Sequence, residues 1–560
     1  MNQNSLTSSS SAMSFQRIVK LARLKDQCGQ IREMKFLLAS TMKLISKKGL
    51  LVLCLMILPF ANTFAQSKYT ISGTIKDLQD TIIFLANYYG NKLYYNDTAD
   101  VDSKGRFSFP GKPFKECGKY SIVMPDNSRF DFVAAEENIV FEFTKDCSIA
   151  NLKVKESLNN KIFFDYVKFI SEKMNARKPL DTALSDSTKT DEEKKPFREQ
   201  MTKLNDEVMD YQKELIKKNP ELLVSKLLKM SMDVEVPTAP ADSSAEGKRT
   251  WGYYYFRNHY FDNIDLTDPR MIRDQAYHRL IERYVKETLP QMADTMMKEA
   301  DALIAKLGTN EDGYKYIVHQ FTYHFETGKI MCLDKGFVHM IDKYYTPEKC
   351  TWMKREKLDE MKKAADDKRH CLCDIIGQNI ILPDSSDRWK SMYDLKSKYT
   401  LLVIWESTCG HCKKEVPKLN ELYKRWKDRG LEVYAVHNNL EVDKWKKFIR
   451  EENLEFVNVC RNQFIMNQDS ATKLIYGGVT TLPSLNFHQY WDVNSTPKVY
   501  LMDKDHKIIA KGIGHEQLEE ILERLESGNK EIGPMKETKF EDEKAPTQKG
   551  KPQQNKNIKK

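Results

Sequence analysis

Between residues 69 and 145 apolar and polar positions alternate in short runs: YTISGTI, TIIFLANYYG, KLYYNDTADVD, GRFSFPG, GKYSIVM, RFDFVAA and NIVFEFTK, divided by Gly, Asp and Asn. A period of two in β-branched and aromatic residues, punctuated by turn residues, predicts strands. Strands in this succession predict a small antiparallel sandwich or open barrel. Near residue 150 the period lengthens to three and four. NNKIFFDYVKFISEKM, FREQMTKLNDEVMDYQKELI, PELLVSKLLKM, IRDQAYHRLIERYVKETL and MADTMMKEADALIAKLG predict a helical region reaching 370. KPLDTALSDSTKTDEEKK and VPTAPADSSAEGKR break that pattern and read as exposed loops. The aromatic run at 251–261, WGYYYFRNHYF, fits a helical core better than a binding groove.

From 371 strand and helix patterns alternate. YTLLVIWE, at 399–406, is a continuous apolar run of the kind buried on both faces of a sheet. KLNELYKRWKDRG follows, with Leu419, Leu422, Tyr423 and Trp426 on one helical face and a stop at Gly430. LEVYAVH then predicts a strand and EVDKWKKFIREEN a helix. After a less regular insert, PKVYLMD and HKIIAKGIG read as a hairpin and EQLEEILERLE as a closing helix. The sum is a mixed sheet covered on two faces. Residues 528–560 hold almost no apolar side chains and are expected to be disordered.

A chain of 560 residues exceeds a single core. Its formal charge of +9 is concentrated at the ends, +7 in residues 1–65 and +4 in 528–560, which leaves about −2 between them. Gripping a nucleic-acid backbone takes a basic face, so nucleic acid is not an expected partner. The basic start has another explanation. In MKLISKKGLLVLCLMILPFANTFAQS, from Met42, three lysines precede an apolar run and then small residues, the layout of a secretory signal cleaved after Ala65. The run of about 12 residues is short for a membrane span of about 20, so a membrane is a partner only if the signal stays uncleaved. Leu53 stands before Cys54, where a lipoprotein signal needs a small residue.

Export allows structural disulfides. Outside the leader there are nine cysteines, and Cys117–Cys147 and Cys332–Cys350 are candidate staples, each weighed against a small buried apolar residue. Cys409-Gly410-His411-Cys412 is different in placement: it ends a strand and opens a helix. There the helix amides and dipole stabilise a thiolate, so Cys409 can attack and Cys412, one turn inward, can close an internal disulfide. A zinc site would need two more ligands at comparable spacing. Cys371-Leu372-Cys373 is the nearest candidate and has an atypical gap.

IWESTCGHCKKEVPKL and VNSTPKVYLMDKDHKIIAKGIG resemble the exported TlpA/ResA-like thiol–disulfide oxidoreductases, with the thioredoxin fold over 371–527. The resemblance implies that Cys409 is the nucleophile, that Cys412 resolves, and that Pro497, after Thr496, is a cis proline facing the disulfide. Pro417 matches the proline that kinks the helix. Glu415 matches an acidic residue that assists proton transfer, although beside Lys413 and Lys414 it also reads as a surface glutamate. Two residues depart from the family. Thr408 stands where Trp is common, and Gly-His separates the cysteines as in protein disulfide isomerases. A histidine beside the thiolate favours the reduced form and a more oxidising disulfide, so the direction of exchange stays open. The β and helical segments resemble regions of unknown function that precede thioredoxin domains in Gram-negative envelope proteins.

The expected architecture is therefore multidomain. A leader occupies 1–65, an all-β domain 66–150, a helical domain 151–370, an α/β thioredoxin domain 371–527 and a tail 528–560. The expected function is exported, periplasmic thiol–disulfide exchange by Cys409 and Cys412, supported by His411, Glu415, Thr496 and Pro497. No metal or organic cofactor is expected. The expected partners are substrate proteins carrying thiols or disulfides and a dithiol protein that donates or accepts electrons. A peroxiredoxin-like peroxidase and a non-enzymatic envelope scaffold are the alternatives.

Overall fold

The computed structural model describes residues 69–111, 116–528 and 534–538. The signal-like segment at 42–65 lies outside the described residues.

The alternating runs form β1 (Thr70–Ile75), β2 (Thr81–Tyr89), β3 (Lys92–Val101), β4 (Arg106–Pro110), β5 (Gly118–Val123), β6 (Arg129–Ala134) and β7 (Ile139–Phe143). An eighth strand, β8 (Lys153–Glu156), lies past the boundary expected at 150 and pairs with β7. Two four-stranded sheets, ordered β4-β1-β7-β8 and β3-β2-β5-β6, make a sandwich. It is not wholly antiparallel: β1 and β7 run parallel, because the strands between them serve mostly the other sheet. The inward alternate positions are rich in phenylalanine. Phe130 meets Phe143 edge-on at 4.8 Å and Phe132 meets Phe141 at 5.3 Å, the arrangement that ring quadrupoles favour.

The next region is helical, with three corrections. The stretch expected as a loop at 178–195 is mostly helix: α1 spans Leu158–Ser185 and α2 spans Asp191–Lys218. They run antiparallel, with Tyr166 bonded to Gln212 and Lys173 to Glu207. Polarity misled there. Lys and Glu are good helix formers, and Thr190 and Glu193 form a capping box followed by an acidic first turn. No residue of α2 is buried, so local terms hold much of it. The second expected loop ends early as well. After α3 (Leu223–Met230), Ser244 caps α4 (Ala245–His259). Nor do the aromatics at 251–261 form a core: α4 has no buried residue, and Tyr254 is 53% exposed. Tyr260, just beyond it, is buried. The region continues through α5 (Gln275–Arg283), α6 (Ala293–Ala305), α7 (Glu311–Thr327), α8 (Asp334–Tyr344) and α9 (Arg355–Arg369).

The C-terminal domain has the thioredoxin fold. A short hairpin, β9 (Ile381–Pro383) with β10 (Trp389–Ser391), leads to β11 (Tyr399–Trp405), α10 (Gly410–Trp426), β12 (Leu431–His437), α11 (Val442–Glu451) and β13 (Val457–Cys460). The irregular insert holds α12 (Gln463–Met466), α13 (Gln468–Tyr476), α14 (Leu482–Leu485) and α15 (Phe487–Tyr490). The chain closes with β14 (Lys498–Asp503), β15 (Ile508–Lys511) and α16 (His515–Glu526). The sheet order is β13-β12-β11-β14-β15, with β11 parallel to β12 and antiparallel to β14. Every residue of β11 is buried. One core, with Trp405, Trp426 and Trp445, lies on the α10 and α16 side; a second, with Phe487, Trp491 and Tyr500, lies on the other. Gly430 ends the first crossover at φ 93°, where a side chain would be strained.

The cysteine pairings expected from sequence are not the ones formed. Cys147 and Cys350 are free thiols, and Cys117, Cys147 and Cys350 are all buried, which matches the apolar alternative. Cys332 instead bonds Cys373, 41 residues on, and joins the helical region to the start of the thioredoxin domain. Packing of the segment before α8 against residues 371–374 decides that partner, and spacing along the chain carries no record of it. Nearby, the buried Lys511 of β15 forms an ion pair with Asp334 and donates to the Cys371 carbonyl at 2.8 Å. Burial works against its charge, but the Asp334 carboxylate and its neighbours prevail and hold its pKa above the ordinary value. Part of the expected disordered tail is also placed: residues 534–538 receive Met331 N–H on Met535 O at 2.8 Å and donate Thr538 N–H to Gly512 O at 2.9 Å. Unpaired backbone at 329–331 and at the end of β15 gives this segment its hydrogen bonds.

Candidate active site

β11 carries the chain through the core, and after Trp405 three residues turn it onto the start of α10. Cys409 is the N-cap of that helix, with extended backbone (φ −74°, ψ 127°). Its thiol is half-buried and its Sγ lies 3.4 Å from the Thr496 carbonyl oxygen. The Thr496–Pro497 peptide is cis. Cys412 lies one turn inward, wholly buried, and its Sγ accepts the Glu406 N–H at 3.5 Å. Both cysteines are free thiols.

The two sulfurs sit in opposed electrostatic environments. Partial burial raises the Cys409 pKa. Hydrogen bonds from the Cys412 backbone, the Thr496 and Cys412 side chains and the His411 backbone outweigh it, so the thiol titrates below the ordinary value. The helix start therefore supplies the stabilisation expected of it. His411 contributes its backbone N–H here. Around Cys412 desolvation dominates and, with the nearby Cys409 charge, pushes the pKa up to about 12. One cysteine is poised to be a thiolate and the other to keep its proton.

Glu415 is no surface residue: it is 7% exposed, while Lys413 and Lys414 beside it are exposed. Its spacing from Cys412 puts both on the buried face of α10. Its carboxylate accepts the His515 backbone N–H at 2.6 Å and lies 3.1 Å from His515 Nδ1. Pro417 lies inside α10, at a buried to half-buried stretch of the helix. The structure thus brings Cys409, Cys412, Thr496 and Pro497 to one point and sets Glu415 one helical turn behind it.

Three residues in the surround were not picked out from sequence. His437, at the end of β12, is fully buried; its Nε2 accepts the Ser407 N–H at 3.1 Å and its Nδ1 lies 3.1 Å from the Asn439 carbonyl oxygen. It thereby ties down the turn that launches Cys409. Desolvation lowers its pKa to about 4, so it is neutral at ordinary pH. Glu406, next in that turn, accepts from Asn438 Nδ2 at 2.6 Å. Arg461 is buried, donates to the carbonyls of Leu485 and Asn438, and lies 4.3 Å over the Phe487 ring, pinning the insert against the same loop. A histidine closing a buried strand run was the one signal that could have drawn attention to His437. Among the described residues no group of three or more His, Cys, Asp or Glu side chains is arranged to hold a metal ion. Cys373, one of the two sulfurs weighed as further zinc ligands, is bonded to Cys332.

Residues 377–511 match the AhpC/TSA family, while 69–163 and 187–367 match two domains of unknown function, DUF4369 and DUF5106. The thiol-disulfide oxidoreductase ResA of Bacillus thuringiensis is 30% identical over 158 residues, covering 28% of this chain and 76% of that protein. ResA of Bacillus cereus is 29% identical over 150 residues, covering 26% and 75%. Among solved structures, a domain named as a possible thiol-disulfide isomerase from Cytophaga hutchinsonii shares 30% identity, covering 28% of this chain and 95% of that one, with a TM-score of 0.23. A thioredoxin-like protein from Bacteroides caccae is 17% identical, covering 52% and 98%, with a TM-score of 0.36.

Proposed function

Because the chain belongs, through its C-terminal domain, to the thioredoxin-like thiol-disulfide oxidoreductases typified by ResA, we propose that it is an exported enzyme exchanging disulfides with envelope proteins through Cys409 and Cys412. The observation that carries this reading is the asymmetry of the pair: a partly exposed thiol of lowered pKa stands in front of a buried one at about 12.

In the proposed cycle the Cys409 thiolate attacks a substrate disulfide and forms a mixed disulfide. Cys412 then attacks Cys409, releasing the reduced substrate and leaving the Cys409–Cys412 disulfide. Glu415 takes the Cys412 proton. The Thr496 carbonyl, 3.4 Å from the Cys409 sulfur, and the adjoining Pro497 offer backbone against which a substrate strand aligns, and His411, between the two cysteines, tunes the exchange. A second dithiol protein restores the starting state, and no metal or organic cofactor takes part. Stabilising the Cys409 thiolate favours the dithiol form and makes the disulfide the better oxidant. Export rests on the signal-like segment at 42–65.

Insulin-disulfide reduction tests the mechanism. Cys409→Ser should abolish it, and Cys412→Ser should accumulate mixed disulfides that a small thiol releases. Turnover retained by both variants would sink the reading. Consumption of hydrogen peroxide without protein disulfide exchange would favour the peroxidase instead.

A further inference from the structure

Glu415 is held by an element far from it in sequence. Both of its carboxylate oxygens lie 3.1 Å from Nδ1 of His515, and Oε1 also accepts the His515 backbone N–H at 2.6 Å. That approach depends on the residue before: a Cβ at Gly514 would stand 3.3 Å from Glu415 Oε1 and 3.0 Å from Thr538 Oγ1. The two side chains differ in their access to water. The Glu415 side chain is 9% exposed and that of His515 25%, with His515 Nε2 lying 3.9 Å from the outward-facing Glu516.

We infer that His515 is the group through which the buried Glu415 exchanges its proton with solvent, a positioning residue for the resolving half of thiol exchange. The inference rests on the reading that Glu415 serves Cys412. In that half-reaction Cys412 Sγ attacks Cys409 Sγ of the mixed disulfide. The bond from Cys409 to the substrate sulfur breaks, the Cys409–Cys412 bond forms, and the substrate sulfur leaves as a thiolate with the electron pair of the broken bond. The Cys412 proton passes to Glu415. A neutral imidazole protonated at Nε2 accepts it at Nδ1 and gives up the Nε2 proton to water at the surface, which returns Glu415 to the carboxylate. Run in reverse, the same path reprotonates Cys412 when the dithiol is restored.

The geometry favours this route over direct exchange. A carboxylate buried under α16 would otherwise meet water only through local opening of the packing. The charged groups around the imidazole are Glu415 from α10 and Glu516 on its own helix. Lys536 and Glu537 lie on the 534–538 segment, which packs on Gly512, Gly514 and Gln517.

A chromogenic aromatic disulfide separates the two halves in one trace on the full chain: the first thiolate released reports attack by Cys409, the second resolution by Cys412. At neutral pH, His515→Asn should slow the second phase about tenfold relative to the first and change its pH profile, and added imidazole should restore the rate in His515→Gly. If the second phase keeps its relative rate and profile in His515→Asn while Glu415→Gln slows it, His515 is only structural and the inference is overturned, with the role of Glu415 intact. If both variants leave it unchanged, the role of Glu415 falls too. Should the His515 variants fail to fold, the unsubstituted protein decides. A solvent-deuterium slowing of about twofold or more confined to the second phase supports the route, and none overturns it.

Discussion

Two pairs of cysteines, Cys409 with Cys412 and Cys332 with Cys373, show how differently one chain uses sulfur. The first pair is three residues apart, and the second is 41 apart and links two regions. Loop-closure entropy alone separates their value to the fold: about 2 kcal/mol for a loop of about four residues, against about 4 kcal/mol for one of about 42. A bond that contributes little stability can be made and broken without unfolding its host. The pairs also differ in access, since Cys409 is half-buried at a helix start while Cys373 is 5% exposed under the edge of the sheet. Short spacing, a helix N-terminus and one reachable sulfur mark a centre that turns over. Long spacing across a junction marks a staple.

The largest expected effect sharpens the contrast inside the first pair. With Cys412 pushed up to about 12 and Cys409 held below the ordinary thiol value, iodoacetamide at neutral pH should alkylate Cys409 at least about a thousandfold faster than Cys412. The sign is fixed by the thiolate. Because the Cys409 pKa is lowered on folding, the stability this gives the reduced protein is present above the unfolded thiol value and is lost as pH falls through the folded one. Peptide mapping after timed alkylation checks this, and comparable rates at both cysteines would refute it.

Next in size, the double substitution Cys332→Ser with Cys373→Ser should cost about 4 kcal/mol of stability yet leave thiol exchange at Cys409 working. Denaturant unfolding beside insulin reduction reads both, and loss of exchange in a folded variant would break the division of labour. Asp334→Ala strikes the same junction without touching sulfur. It strands the buried Lys511 charge, so about 3 kcal/mol should be lost, and Lys511→Met in the same chain should recover most of it. A double-mutant cycle by thermal unfolding tests that coupling.

What could be read from sequence follows from where each signal is written. β11 announces itself because seven consecutive buried positions leave no alternative to a central strand, and the redox motif is legible because a local pattern, strand then CxxC then helix, carries its chemistry. The Thr496–Pro497 corner came from family resemblance and not from periodicity. Three things were not legible. The polar α2 looks like a loop because burial writes the usual helix pattern and α2 has no buried residue. The Cys332–Cys373 pairing depends on which surfaces meet. Glu415 looks exposed beside two lysines, because Gly514 and His515, which cover it, arrive about a hundred positions later in the chain.

The smallest of these effects concerns the turn that carries Cys409, and it separates the redox centre from the staple by pH. His437 is fully buried and holds the Ser407 amide through Nε2, a bond it can make only while that nitrogen is unprotonated. Desolvation lowers its pKa from 6.5 to about 4. The unfolded chain therefore binds a proton between these values that the folded chain refuses, and stability must fall as pH drops through that window. At pH 5 the loss is about 2 kcal/mol. The neighbouring His488, also lowered by burial and by Arg461 to about 4, adds in the same sense. His437→Gln, which cannot titrate, should flatten the acid limb of the unfolding profile by that amount and, if its amide still receives the Ser407 N–H, keep Cys409 reactive. An unchanged acid limb would show that His437 does not stay neutral in the fold. A flattened limb with a sluggish Cys409 would show that the imidazole itself, and not merely an acceptor at its position, sets the turn on which the redox centre stands.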